Sequence, residues 1–88
     1  MAFTTEQNAL SGTAELIITP PVGGGRYRVK NMDGSIKVYL GAAGVTSSTG
    51  FEVGAGVTTE EFFLHADEPL YAVAASATPS ICILSLGI

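Results

Sequence analysis

Gly25–Gly41, GRYRVKNMDGSIKVYLG, holds every basic residue of the 88-residue chain: Arg26, Arg28, Lys30 and Lys37. Apolar and polar residues alternate on both sides of Asp33-Gly34, the period of a half-buried strand. Asp-Gly is also the dipeptide that supplies positive φ at both centres of a type I′ turn, so the stretch reads as a β-hairpin. With those two residues as the loop, Asn31 faces Ile36, Lys30 faces Lys37, Val29 faces Val38, Arg28 faces Tyr39 and Tyr27 faces Leu40. One face is then apolar and the other gathers the four cations. Lys30 directly across from Lys37 costs roughly a few tenths of a kcal/mol in an isolated sheet. Two readings follow: an acidic partner relieves the repulsion, or the long side chains splay into water as a solvated face.

Outward from this stretch the chain continues in short strands. TAELIIT, Thr13 to Thr19, places Ala14, Leu16 and Ile18 on one side, and Pro20-Pro21 with Gly23-Gly24-Gly25 closes it. Residues 42 to 56 are rich in Gly, Ser and Thr, and within them Gly50 to Val53 is either a short strand or a loop anchored by Phe51. TTEEFFLH, Thr58 to His65, is the next strand; a turn at Ala66 to Pro69 lets LYAVAA, Leu70 to Ala75, pair back on it. Phe62, Phe63 and Thr59 favour strand over helix, and Pro69 stops any helical extension. After a turn at Ala77 to Ser80, ICILSL carries Ile81 and Ile83 on one face and Cys82, Leu84 and Leu86 on the other. Such a strand is covered twice, either central in a sandwich or half core and half subunit interface.

About six or seven short strands with turns every 8 to 12 residues predict an all-β fold, a small antiparallel β-sandwich or barrel. Residues 1 to 12 are polar and without period, and are expected to be an extended N-terminal arm, dispensable to the fold and ordered by a neighbour. Residues 13 to 88 form the single domain.

Composition narrows the class. Hydrophobic residues make up 47% of the chain and charged ones 14%, with mean hydropathy +0.40, more apolar surface than so small a core can hide. Self-association is the expected outlet, because one cysteine, Cys82, and one histidine, His65, supply neither a disulfide framework nor a structural zinc. A net charge of −4 and a pI near 4.6 argue against nucleic acid. The apolar runs are too short to span a bilayer, and MAFTTEQNAL has no targeting pattern, so synthesis in the cytoplasm is expected, with any exit on a larger particle. The cations lie between positions 26 and 37 while Glu52, Glu60, Glu61, Asp67 and Glu68 follow between 52 and 68. That segregation suits complementary contacts between copies, or simply a solubilised surface.

The chemistry-bearing residues are sparse. His65 has no nucleophile elbow beside it, and Cys82 in ICIL has no basic neighbour to activate a thiolate. The glycines of Val22 to Arg26 and Gly41 to Gly44 lack the lysine and following helix of a phosphate loop, and Glu60-Glu61 and Asp67-Glu68 lack calcium-loop spacing. The chain is read as a non-enzyme needing no cofactor and no metal.

Ile36 to Gly41, Gly44-Val45-Thr46, Thr49-Gly50-Phe51, Gly54-Ala55-Gly56 and Pro69 to Ala75 together resemble, in order and spacing, a pattern in small virion proteins of tailed bacteriophages. The match spans roughly residues 26 to 86. The resemblance implies a capsid-associated β-sandwich: a decoration or cement protein that binds the major capsid protein on the outer surface of the assembled head, commonly as a trimer, without nucleic acid or membrane as partner. A tail- or fibre-associated adhesin is the alternative. Arg26, Arg28, Lys30, Lys37, Tyr39 and Phe51 are the residues expected to meet the capsid or a neighbouring subunit.

Overall fold

A computed structural model describes residues 4–87. They form eight strands and no helix: β1 (Thr4–Ala9), β2 (Glu15–Ile18), β3 (Gly25–Asn31), β4 (Val38–Gly41), β5 (Phe51–Val53), β6 (Phe62–Leu64), β7 (Leu70–Ala74) and β8 (Ser80–Gly87). The strands divide into two four-stranded sheets, ordered β1-β8-β3-β6 and β2-β7-β4-β5, with every neighbouring pair antiparallel. The fold is a β-sandwich. In pairs, β1 lies with β8, β2 with β7, β3 with β6 and β4 with β5, so the chain is one long antiparallel ribbon rolled over itself, a jelly roll.

The rolling overturns the hairpin at Asp33-Gly34. β3 joins the first sheet, between β8 and β6, while β4 joins the second, between β7 and β5. Residues 32–37 are a corner, and its side chains show why. Asn31, fully buried, donates its amide to the carbonyls of Ile36 (2.7 Å) and Val53 (3.1 Å) and accepts from the Asp33 N–H (3.0 Å). The Asp33 carboxylate accepts from the N–H groups of Ser35 (2.9 Å) and Ile36 (2.7 Å). These bonds replace the ladder a hairpin would have used, and neither Asp33 nor Gly34 has the positive φ that a type I′ turn requires. The same error recurs at Ala66 to Pro69. β7 does not pair back on β6 but lies in the other sheet.

The ribbon reverses instead at residues 42–50, between β4 and β5. There Val45 is buried against Gly41, and a Cβ on Gly50 would press on the side chains of Tyr39 and Val45, so glycine is required for the loop to fold back. Gly24 is the comparable position at the β2–β3 corner, with φ +81° and no room for a side chain beside Phe63 and the Leu64 carbonyl.

The core follows the alternation. Tyr27 and Val29 from β3, Val38 and Leu40 from β4, Val53, Ala72, Ala74, Ile81 and Ile83 point between the sheets and are buried. Burial pushes the Tyr27 phenol above its ordinary pKa. β2 departs from its expected pattern: the register shifts between Leu16 and Ile18, so Ile17 and Ile18 are both buried while Leu16 is half exposed.

The expected N-terminal arm is corrected as well. Its residues 4–9 are edge strand β1, in register with β8 from Thr4↔Ser85 to Ala9↔Ser80. Leu10 follows at 1% exposure within the core, its N–H bonded to the Pro79 carbonyl at 2.8 Å. The segment looked aperiodic because β1 is paired on one side only and presents polar residues on both faces. Positions 1–3 lie outside the described residues.

Candidate docking surface on the first sheet

β3 is the strand that carries cations, and its alternation decides where they go. Tyr27, Val29 and Asn31 turn inward, so Arg26, Arg28 and Lys30 turn outward on the first sheet. Their cross-strand partners come from the far end of the sequence. Arg28 lies opposite Leu84, which lies opposite Thr5; Lys30 lies opposite Cys82, which lies opposite Gln7. Cys82, Leu84 and Leu86 are half-buried on this outer face. The result is an apolar strip along the central strand, with an exposed two-cation rail on one side and neutral polar side chains on the other.

The six residues singled out from the sequence do not share one face. Arg26 sits at the end of the rail, its Nη1 3.2 Å from Glu61 Oε2. Arg28 and Lys30 are exposed on the rail and make no ion pair among the described residues. Lys37 lies beyond the corner, 3.5 Å from Glu52 on the second sheet. The predicted repulsion between Lys30 and Lys37 is therefore absent: the corner sends the two lysines to different sheets. Tyr39 is half-buried on the second sheet, opposite Val73 and Glu52. Phe51, opposite Leu40, is 69% exposed at the sandwich's flank. β5 is thus a strand, with its aromatic left largely uncovered.

Sequence reasoning placed Cys82 and Leu84 on the second apolar face of the last strand. It missed that this strand lies beside β3, because pairing partners 50 or more residues apart carry no local signal. It also missed an open cleft of about 600 Å³ between the β5 and β6 edges, lined by Leu40, Phe51, Val53, Val57, Phe62 and Leu70 with Glu52, Glu60 and Glu61 at its rim.

His65 is exposed, its ring edge-on to Phe63 at 5.0 Å and its backbone N–H bonded to Glu68 Oε1 at 2.8 Å. Among the described residues no three His, Cys, Asp or Glu side chains converge as a metal site, and no helix is long and apolar enough to cross a membrane.

No protein-family model matches the chain, and no curated protein is similar to it in sequence. Among solved structures, a chain from Bacillus endospore appendages, described as forming a novel family of disulfide-linked pili, is similar in fold. The TM-score is 0.54 at 17% identity, over 96% of this chain and 82% of that one.

Proposed function

We propose that the chain is a structural virion protein of a tailed bacteriophage that binds the outer surface of the assembled head through the outer face of its first sheet and stabilises it. One observation carries this reading: on an acidic chain, the exposed cations Arg28 and Lys30 stand beside the half-buried strip of Cys82, Leu84 and Leu86. Cations steer the protein to an acidic patch on the major capsid protein, and the apolar strip gives that encounter area to bury. The jelly-roll architecture recurs in viral capsid and lectin domains, an analogy of fold that supports the reading without selecting it. The role is non-enzymatic, with self-association on the head, as a trimer, adding avidity. The fibre adhesin is the second reading, favoured by the exposed aromatics Phe51 and Phe63.

The test is to titrate wild-type and Arg28→Gln/Lys30→Gln protein onto undecorated heads at low and high salt, counting bound copies per particle. The expectation is saturation at hundreds of copies for wild type, with the double variant binding at least tenfold more weakly at low salt and the gap narrowing as salt rises. Equal occupancy curves would reduce the rail to solvated surface, and a handful of copies per particle would move the protein to the tail.

A further inference from the structure

The cleft between the β5 and β6 edges has a backbone to match its lining. β5 pairs with β4 on one side and has no strand on the other, with the Val53 carbonyl already accepting from the Asn31 amide. The inward side of this edge strand carries Phe51 and Val53, and its outward side carries Glu52. Across the sandwich the cleft continues over Val57 and Phe62. Its charged lining is Glu52, Glu60 and Glu61, with Arg26 3.2 Å from Glu61 and Lys37 3.5 Å from Glu52.

The geometry points to β5 as the acceptor of an added strand: an extended polypeptide segment of another protein, with an apolar residue, a Lys or Arg, and a second apolar residue in succession. The register dictates that pattern. In the second sheet the rows already read Leu40–Phe51, Tyr39–Glu52 and Val38–Val53. A new antiparallel strand extends each row by one side chain, because directly opposed residues point to the same face. The side chains opposite Phe51 and Val53 therefore enter the cleft and cover the ring that the fold leaves 69% exposed. The side chain opposite Glu52 points outward, where a cation meets the carboxylate; Lys37 holds that carboxylate only at 3.5 Å, with both side chains more than half exposed. Main-chain bonds supply affinity and the alternating side chains supply selectivity.

A second copy of this chain does not fit the same edge. Centred antiparallel pairing of β5 with its own copy sets Glu52 against Glu52, a like-charge pair directly opposed. The chain's cationic strand, β3, is already flanked by β8 and β6. The occupant is thus a strand from a different protein.

The experiment uses three acetylated heptapeptides with the full chain: Gly-Thr-Val-Lys-Val-Thr-Gly, the same peptide with Glu in place of Lys, and the lysine peptide N-methylated at its three central residues. Backbone amide NMR shifts and titration calorimetry read binding. The lysine peptide is expected to saturate at submillimolar concentration, shifting Phe51–Val53 and the residues lining the cleft. The glutamate and N-methylated peptides should each bind at least tenfold more weakly. Glu52→Gln, an exposed change that leaves folding intact, should bring the lysine and glutamate peptides to within about twofold. Equal binding of the three peptides, shifts centred elsewhere, or no saturable binding up to several millimolar would overturn the proposal. So would concentration-dependent shifts of the same amides without peptide, which would assign the edge to a second copy.

Discussion

Each flank of the sandwich ends in two edge strands, β1 and β2 on one side and β5 and β6 on the other, yet only the first flank is sealed. The crossing from β1 to β2 drops Leu10 into the core at 1% exposure and is tied down by bonds from the Leu10 N–H to Pro79 and from the Ala74 N–H to Ser11, both 2.8 Å. The crossing from β5 to β6 behaves differently. Its backbone is captured by β3, with Asn31 N–H on the Val57 carbonyl at 2.9 Å and Thr59 N–H on the Val29 carbonyl at 2.8 Å. Bonded to β3 at the sheet edge, this crossing leaves none of residues 54–61 buried; Val57 stays 49% exposed and the cleft remains open. Both crossings are held by backbone bonds, and the lesson is that a crossing closes a flank when those bonds leave a large apolar side chain aimed inward, as they do at Leu10. The sealed flank is protected in another way too. On β1, Glu6 and Asn8 lie opposite Ile83 and Ile81 and so point to the inner side, a polar edge that discourages strand addition.

The largest expected effect separates the flanks directly. Leu10→Ala should cost about 3 kcal/mol, since it removes a fully buried leucine from a site held by backbone bonds. Phe51→Ala on the open flank should change stability by no more than about 0.5 kcal/mol. Urea denaturation of both variants measures the contrast, and equal losses would mean that Phe51 packs as tightly as Leu10. Deleting residues 1–12 extends the same test: it removes β1 and Leu10 together, exposes one edge of β8, and should abolish cooperative unfolding. A truncated protein that melts like the full chain would make the sealed flank ornamental.

A smaller effect belongs to the corner that feeds the open flank. Asn31→Leu leaves the carbonyls of Ile36 and Val53 and the Asp33 N–H without their buried partner and should cost about 2 kcal/mol. Hydrogen exchange at Ile36 to Val38 should rise with it. Unchanged protection there would show that the corner is held by the strands alone.

The smallest effect is a pH slope. Hydrogen bonds from the Ser35 N–H, then the Ile36 N–H, hold the Asp33 carboxyl below its ordinary pKa, with the Ser35 hydroxyl adding to them. A depressed folded-state value means that this stabilisation is present above the unfolded pKa of about 3.9 and is lost as pH falls through the folded value. Melting temperatures of wild type and Asp33→Asn should therefore converge between about pH 4 and pH 2. A constant difference across that range would exclude ionisation of Asp33 as the cause.

Local sequence marked most of the bends of the rolled ribbon. Pro20 to Gly25, Asp33-Gly34, Ala66 to Pro69 and Ala77 to Ser80 all fall where the chain leaves a strand. What those signals lack is the sense of the bend. Asp-Gly at a hairpin and Asp-Gly at a corner look alike, and the buried Asn31 amide that distinguishes them acts only once Val53 is beside it. The strand expected over Thr58 to His65 shows the same limit from the other side: Thr58 bridges to Lys30 and Phe62–Leu64 pair with β3, while Glu60 and Glu61 break the ladder between them.

The amino-acid order alone therefore determined the β class, the inward set of Tyr27, Val29, Val38, Leu40, Ile81 and Ile83, and the segregation of cations from acids, because alternation and turn chemistry are written within a few residues. It did not determine which strands are neighbours. That Arg28 and Lys30 lie beside Leu84 and Cys82, that Lys37 departs to Glu52, and that one flank stays open were decided by strand pairing across the whole chain. Such pairing is settled by the joint burial of two sheets, a property no single segment possesses.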